Sequence, residues 1–309
     1  MGGEIRGGRE PSRSLALMSL ACDSVLPCEV WQARRAAHHA RVDRLTAARR
    51  TRAAAGQPHP VEDFLFTYYP FRVGALRRWS PGWGVALEAD AAPDGEAWWE
   101  FDGRRLSVAA AERDTTALTL ARFVRELCVA VAARPAYHGC FGLHEWAMVY
   151  RAAADRRHAS WPLRLTPAET DAVVESMPVR CTHFDAFRFF TPEARPLNRV
   201  QPDLAGRVAN EQPGCIHASM DLYKWAMKLR QLIPAELAAE AFDLAMDARS
   251  VDMRASPYDL SALGYAPIRI ETPEGRAAYE SEQRRLASVA MPIRARLISA
   301  CDRILADAA

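Results

Sequence analysis

Apolar positions recur at helical spacing along most of the chain, and glycine and proline divide that pattern into separate helices. The longest uninterrupted stretch, 29–55, is rich in alanine and arginine and stops before Gly56, as expected of a long helix. Residues 166–169 read Thr-Pro-Ala-Glu, a capping box with proline at the first helical position, so another helix begins there. The pattern predicts further helices at 114–133, 144–156, 220–232, 235–249 and 275–307, and a short aromatic helix within 59–72.

One stretch, 84–108, has the character of β-strands. It contains Asp-Gly pairs at 94–95 and 102–103, which are typical of tight turns between strands. Residues 1–27 contain two Gly-Gly pairs and two prolines, which indicates a flexible N-terminal extension. We therefore predict a fold that is mainly α with a small β-sheet element, as a single compact domain over 28–309 with a β insertion near 84–108.

The composition is that of a soluble protein. Half of the 309 residues are hydrophobic and a quarter are charged. No apolar run approaches the roughly 18 residues that a membrane span needs. The seven cysteines include no CxxC pair, which favours reduced thiols over a disulfide framework. We expect a cytoplasmic protein with no membrane partner.

Positive charge is concentrated near the N-terminus. The chain has a net charge of +2, yet residues 1–80 contain thirteen arginines and seven acidic residues. This asymmetry is compatible with a nucleic-acid partner. The chain has only two lysines, Lys224 and Lys228, so these are the two positions at which a lysine could form a Schiff base.

Four segments concentrate reactive side chains: 137–151, 181–190, 214–230 and a predicted loop at 251–260. The second places His183 and Asp185 among four phenylalanines, where a polar group needs a partner or a function. Imidazole and carboxylate groups in these segments would suit a metal, but their spacing matches no zinc ribbon, HExxH helix or paired ExxH pattern. No glycine-rich phosphate loop or GxSxG elbow is present either. We expect neither a metal nor another cofactor.

Five stretches resemble a known family: HPVEDFLFTYY (59–69), HGCFGLHEWAMVYR (138–151), THFDAFRFFTPEARPLN (182–198), MDLYKWAMKL (220–229) and DMRASPYDL (252–260). They resemble high-GC bacterial proteins catalogued as 3-methyladenine DNA glycosylases, from about Trp31 to the C-terminal helix. The resemblance implies an enzyme that hydrolyses the N-glycosidic bond of a flipped-out modified base in double-stranded DNA and leaves an abasic site.

Base excision needs a pocket of stacking rings and a carboxylate that stabilises positive charge on the sugar. We assign Asp185 to the sugar and His183 as its proton partner, with Glu145 and Asp221 as competing carboxylates. The other expected contacts are base-edge hydrogen bonds from His144 and His217, pocket-wall or stacking contacts from Phe184, Phe187, Trp146 and Tyr223, a substrate contact from Tyr258, and phosphate contacts from Arg188, Arg254 and Lys224. Each residue also has a structural interpretation: Asp221 and Asp252 could cap helices or pair with arginines, and Trp146 could belong to the core.

Several alternatives remain open. The substrate could be an alkylated purine or a hypermodified cytosine of phage DNA, the latter implying phage defence. We expect a monofunctional glycosylase; an enzyme that also nicked the abasic strand would use Lys224 as nucleophile. A second class is a metal-dependent oxygenase or hydrolase of a small molecule, and a third is a non-catalytic DNA-binding protein that uses the arginine-rich helix. No obligate protein partner is expected.

Overall fold

Most of the chain is helical. The structure is a computed structural model, which describes residues 24–93, 96–152, 156 and 160–306. Helices make up 56% of the chain. The described α-helices are α1 (Cys28–Ala54), α2 (Phe64–Tyr68), α3 (Val73–Arg77), α4 (Thr115–Ala133), α5 (Leu143–Ala147), α6 (Pro167–Ser176), α7 (Phe184–Phe187), α8 (Arg207–Asn210), α9 (Ile216–Lys228), α10 (Ala235–Ala255) and α11 (Pro273–Leu305).

The centre of the fold is formed by α4, α9, α10 and α11, which pack against one another. Their facing sides are apolar, with Tyr223, Phe242 and Leu286 among the fully buried side chains. Burial of such side chains contributes about 1.5–3 kcal/mol each to folding. The chain thus forms a single compact domain that is mainly α, as predicted.

Local sequence signals define several helix ends. Thr166 accepts a hydrogen bond from the backbone N–H of Glu169, and Glu169 accepts one from the N–H of Thr166, so the predicted capping box begins α6. Thr272 caps α11 in a similar way through the N–H of Gly275. The long basic helix α1 ends just before Gly56, which has a φ of +66°.

A small sheet lies beside the helices, with strand order β1-β2-β4-β3. Its strands are β1 (Ser24–Leu26), β2 (Val85–Glu88), β3 (Trp99–Phe101) and β4 (Arg105–Val108). The predicted turn at 102–103 joins β3 to β4, and Asp102 Oδ1 accepts hydrogen bonds from two backbone N–H groups that follow it. The other predicted turn, at 94–95, lies outside the described residues.

The prediction of a flexible extension over 1–27 was wrong for its last residues. Ser24–Leu26 forms β1, which pairs in parallel with β2 in the register Val25 opposite Ala86. The reason is that Leu26 adds to a small apolar cluster between the sheet and α1, around Trp31 and Leu87. Residues 1–23 lie outside the described part of the chain.

Two predicted element boundaries were also wrong. The helix expected over 144–156 ends at Ala147, and the chain turns at Arg151, where φ is +52°. The loop expected over 251–260 instead continues α10 as far as Ala255. That helix stops where Pro257 follows Ser256, because the residue before a proline disfavours helical geometry.

None of the helices in the described residues is both long and apolar enough to cross a lipid bilayer. The six described cysteines are free thiols.

Candidate active site

One face of α9 carries the polar side chains of the site. His217, Asp221 and Lys224 are four and three residues apart, which places them on the same side of a helix. The helix is buried along nearly its whole length and packs against α10 and α11. These polar groups are therefore held inside the protein, where each needs a partner.

Helix α7 brings a second carboxylate to this face. Asp185 Oδ2 accepts hydrogen bonds from Arg207 Nη2 at 2.6 Å and from Lys224 Nζ at 3.0 Å. Lys224 Nζ also donates to Asp221 Oδ2, so one ammonium joins the two carboxylates. Asp221 Oδ1 accepts a hydrogen bond from Tyr69 Oη at 2.6 Å. We call Tyr69, Asp185, Arg207, Asp221 and Lys224 the lysine cluster.

His183 lies behind the lysine cluster. Its Nε2 is 3.3 Å from Asp221 Oδ2 and 3.5 Å from Glu211 Oε1. The imidazole thus contacts these two buried carboxylates, whereas we had expected it to be the direct proton partner of Asp185. His183 immediately precedes α7 and Asp185 lies in its first turn; the two side chains come within 4.8 Å of each other, but the imidazole lies closer to Asp221 and Glu211.

A second cluster surrounds the end of α10. Arg249 Nη1 donates to Glu145 Oε1 at 2.7 Å and to Asp252 Oδ2 at 3.0 Å. His144 Nε2 lies 2.9 Å from Asp252 Oδ1, and His217 Nε2 lies 3.8 Å from Asp252 Oδ2. We call His144, Glu145, His217, Arg249 and Asp252 the arginine cluster. Arg249 and Asp252 are at most 1% exposed, so these two charges have almost no contact with solvent.

His217 joins the two clusters. Its ring centroid is 4.4 Å from that of His144, with the rings nearly perpendicular, and 5.4 Å from that of His183. The three imidazoles therefore form a continuous row between α5, α9 and the start of α7.

The charge states at the centre of the site follow from burial and from neighbouring charges. Burial raises the pKa of Asp185, but the ammonium of Lys224 and the guanidinium of Arg207 outweigh it, so this pKa lies below its ordinary value. Burial lowers the pKa of His217 well below its ordinary value, and His144 lowers it further. At neutral pH, Asp185 is therefore an anion and His217 is a neutral imidazole.

The buried carboxylates differ from one another. Burial raises the pKa of Asp221, but Lys224 and His183 together hold it far below its ordinary value. Burial also raises the pKa of Glu211. Here the neighbouring positive charges do not offset burial, so this pKa lies above its ordinary value. For His144, burial lowers the pKa, but the carboxylate of Asp252 has the opposite effect, and the resulting pKa lies above its ordinary value.

A small cavity reaches these groups, and we call it the outer cavity. Its polar lining comes from Glu145, Asp185, His217 and Arg249. Its aromatic lining comes from Phe64, Tyr68 and Phe189. It thus presents an anion and a neutral imidazole to a space bordered by aromatic rings.

Two further spaces adjoin the outer cavity. A broad surface groove shares Phe64, Tyr68 and Phe189 with it, so the groove leads to the outer cavity. On the other side lies a small inner cavity, which shares His217 with the outer one. The inner cavity is lined by both His144 and His217, together with the thiols of Cys140, Cys181 and Cys215.

The structure brings the predicted carboxylates together but places them differently. Asp185 and Glu145 line the outer cavity. Asp221, whose side chain is 1% exposed, lies behind Asp185 and is bonded to Tyr69 and Lys224. Asp221 is therefore placed to hold Lys224 and His183 rather than to contact a ligand in the outer cavity.

Most of the aromatic residues predicted to line the pocket belong to the core. Trp146 is fully buried and donates through Nε1 to the carbonyl of Ala255 at 2.8 Å. Tyr223 is fully buried and packs edge-on against Phe242.

The remaining predicted rings lie outside the cavity lining as well. Phe187 packs on Phe190, Tyr258 is buried in a small apolar cluster with Val61, and Phe184 is half-buried at the start of α7. Phe189, two residues beyond Phe187, lines the outer cavity in their place. Phe187 is the last residue of α7 and packs, partly buried, against the core, whereas Phe189 follows the end of the helix and borders the groove.

The three predicted phosphate-binding residues lie in different structural environments. Arg188 is exposed at the surface groove, with its guanidinium carbon 4.5 Å from the ring centre of Phe189. Arg254 lies in the last turn of α10 and donates to the carbonyl of Ala266. Lys224 is largely buried and engaged by two carboxylates, so it is not placed to bind phosphate.

Sequence reasoning missed several members of the site. Arg207 and Glu211 are four residues apart in a short turn of helix, and Arg249 lies three residues before Asp252 on α10, so Asp252 pairs with an arginine, as its structural interpretation expected. Such spacing indicates a pair on one helix face, but it occurs on many solvated helices too. Phe64 and Tyr68 are likewise four apart and stack at 5.0 Å between ring centres.

Comparisons with family models, with curated proteins and with solved structures gave no match for this chain. The resemblance to the glycosylase family consequently stays a prediction.

Proposed function

We propose that the protein is a DNA glycosylase that holds an extruded modified base in the outer cavity and uses Asp185 to stabilise the sugar during hydrolysis of the N-glycosidic bond. The observation that carries this proposal is an ionised aspartate on the wall of a cavity with aromatic lining, open to a broad surface groove. A flipped nucleotide requires such a combination of anion, ring walls and access.

Asp185 suits the electrostatic role. When the N-glycosidic bond breaks, its electron pair leaves with the base and positive charge develops on the sugar. A carboxylate beside that charge lowers the barrier most when it is fixed in place before the reaction, because no reorganisation is then needed. Arg207 and Lys224 fix Asp185 at 2.6 and 3.0 Å.

The departing base needs polar partners as well as stacking surfaces. His217 and Glu145 line the same cavity as Asp185 and can hydrogen-bond the edge of the base. A neutral imidazole has one donor and one acceptor nitrogen, so His217 can hydrogen-bond to either an acceptor or a donor group on the base. Water completes the reaction by adding its hydroxyl to the sugar carbon, while its proton balances the charge of the released base.

The surface groove is suited to the DNA strand. It has space for a sugar-phosphate segment, and Arg188 lies at its edge beside Phe189. Arginine is suited to phosphate because its planar guanidinium donates two parallel hydrogen bonds. Two substrates are compatible with this arrangement: an alkylated purine, or a hypermodified cytosine of phage DNA that would imply a role in phage defence.

A non-catalytic DNA-binding role through the arginine-rich helix has less support. Several arginines of α1 are occupied by carboxylates of the same chain: Arg34 by Glu236, Arg41 by Asp243 and Arg52 by Glu62. These ion pairs attach α1 to α10 and to the segment before α2. A helix that uses its arginines to hold the fold has fewer of them to offer to DNA.

The test is base release by purified protein from alkylated DNA and from phage DNA that carries modified cytosine, with mass analysis of the released base. We expect Asp185→Asn to reduce release by at least about 100-fold, the typical effect of removing one preorganised electrostatic group. Asp43→Asn is the matched control, since Asp43 is a partly exposed aspartate that pairs with Arg77 on another part of the surface.

The outcomes separate the alternatives. Release that is lost in Asp185→Asn but retained in Asp43→Asn supports the proposal. Release from neither DNA by the wild type, or full activity of a folded Asp185→Asn protein, contradicts it. Borohydride trapping of the protein on damaged DNA, lost in Lys224→Ala, would show an imine and replace the monofunctional mechanism.

A further inference from the structure

A group of three side chains in the arginine cluster has the composition of a metal site. His144 of α5, His217 of α9 and Asp252 of α10 each offer one ligand atom, and these atoms all lie within 4.8 Å of one another. The residues are far apart in sequence, so it is the packing of three helices that assembles the group. Proposed base excision assigns a ligand role to none of them.

Two polar side-chain atoms of this group have no hydrogen-bond partner. His144 Nε2 and Asp252 Oδ1 are both buried, and each lacks a hydrogen bond of acceptable geometry although the two atoms lie only 2.9 Å apart. Buried polar atoms are normally paired, so such a facing pair needs an explanation. Two ligands of one ion, each about 2.0–2.2 Å from it, come to about 3 Å from each other when the bond angle is near 90°.

We propose that His144, His217 and Asp252 bind a divalent first-row transition metal, with zinc or iron(II) as the fitting ions. Two imidazoles and one carboxylate suit these metals, whereas calcium and magnesium prefer oxygen ligands alone. His144 and His217 both line the inner cavity, so further coordination positions would open into that space. The inference does not depend on base excision.

The surroundings of Asp252 resemble the outer shell of a metal site. Arg249 Nη1 donates to Asp252 Oδ2 at 3.0 Å and thereby orients the oxygen Oδ1 toward His144. Arg249 is itself held by Glu145 at 2.7 Å. Outer partners of this kind fix ligand geometry and strengthen binding.

A second group in the molecule provides an internal contrast. His183, Asp185 and Asp221 also place their ligand atoms within 4.8 Å of one another. There, however, Lys224 Nζ donates to both carboxylates and so already occupies the position between them. A metal would have to displace that ammonium, so we expect it at His144, His217 and Asp252 instead.

The experiment uses the full chain after treatment with a chelator. Calorimetric titration with Zn²⁺ measures stoichiometry and affinity, and absorption of the Co²⁺ complex reports on the ligands. We expect one ion per chain. Asp252→Asn and His217→Gln should weaken binding by more than the roughly 10–100-fold that loss of an outer partner costs.

Asp185→Asn and His183→Gln are the matched controls, because they change the second group by the same kinds of substitution. Their Zn²⁺ affinity should equal that of the wild type. Of the two ligand variants, we expect His217→Gln to fold normally, because His217 lies on a cavity wall with 14% of its side chain exposed. Asp252→Asn removes a completely buried charge.

Three results would overturn the inference. One is the absence of stoichiometric Zn²⁺ binding by the wild type. Another is binding that survives in folded His217→Gln but disappears in Asp185→Asn. The third is a thiolate-to-cobalt charge-transfer band, which would place the ion on the cysteines of the inner cavity. A Co²⁺ spectrum without that band, lost in His217→Gln, supports it.

Discussion

The lysine cluster and the arginine cluster are built from the same kinds of groups but differ in access to solvent. Each has carboxylates held by a fixed cation, and they meet at His217. The side chain of Asp185 in the lysine cluster is 15% exposed and lines the outer cavity, whereas that of Asp252 in the arginine cluster is completely buried. Glu145 and Arg249 of the arginine cluster also border the outer cavity, but with only 7% and 1% of their side chains exposed, so Asp185 is the most accessible charge in that lining.

This difference changes what each charge does. A buried ion pair gains little stability overall, because desolvation offsets the attraction, but removal of one partner is costly. A charge at a cavity wall keeps part of its hydration and can exchange that water for a substrate. The arginine cluster should therefore be more important for folding and the lysine cluster more important for chemistry.

The largest expected effect on stability is that of Arg249→Met. The substitution leaves Glu145 and Asp252 without their shared cation in a sealed site, which costs about 3–5 kcal/mol. Urea denaturation monitored by circular dichroism measures it. Lys224→Met should cost less, because Asp185 keeps Arg207 and Asp221 keeps Tyr69.

An exposed pair gives the baseline for this comparison. Arg285 contacts Asp247 through two hydrogen bonds of 2.7 and 2.9 Å at the surface. Arg285→Met should change the free energy of unfolding by about 0–1 kcal/mol. A loss in Arg249→Met no larger than this would remove the distinction between sealed and accessible clusters.

Tyr69→Phe should have an intermediate effect. The Tyr69 hydroxyl donates to the buried Asp221 Oδ1 at 2.6 Å, and its loss leaves that oxygen without a donor at a cost of about 1–3 kcal/mol. The neighbouring Tyr68 is the matched control, since its hydroxyl donates to the carbonyl of Asp185 over a longer distance of 3.4 Å and not to a buried carboxylate. Equal destabilisation by Tyr69→Phe and Tyr68→Phe would contradict the importance of the buried bond.

Much of the fold was predictable because its signals are local. The capping box at Thr166, the breaker-free run of α1 and the turn at 102–103 depend on residues next to one another. The strand Ser24–Leu26 was missed because its partner, β2, is about sixty residues away and three residues carry almost no periodicity. The end of α5 was missed because no glycine or proline marks the turn over 148–151 that follows it, and Arg151 in that turn adopts a positive φ without being glycine.

For the site, the types of residue were predictable from the sequence, but the directions in which their side chains point were not. The sequence analysis selected His144, His183, Asp185, His217 and Asp221, and the structure brings them together. Which of them lines a cavity depends on how α7 and α9 turn against their neighbours. For this reason Phe189 lines the outer cavity whereas Phe187 packs against the core. For the same reason the predicted phosphate ligand Lys224 is buried between carboxylates.

The final expected effect concerns the response of the lysine cluster to acid. Lys224 and His183 hold the pKa of Asp221 below its ordinary value although burial raises it, and Tyr69 and Asp185 complete its surroundings. A carboxyl group with a lowered pKa in the folded state adds stability above its unfolded pKa, and this stability is lost as pH falls, mostly between about pH 5 and pH 1. Asp221→Asn removes that contribution.

The measurement is the free energy of unfolding in urea at several pH values below about pH 5. In this range the wild type should lose stability more steeply than Asp221→Asn, by at most about 1.4 kcal/mol per pH unit, since one proton is involved. The absolute stability of the variant does not matter, because only the two slopes are compared. Parallel curves would mean that Asp221 is no more strongly held in the folded chain than in the unfolded one, and the lysine cluster would then lack the tight coupling that fixes Asp185.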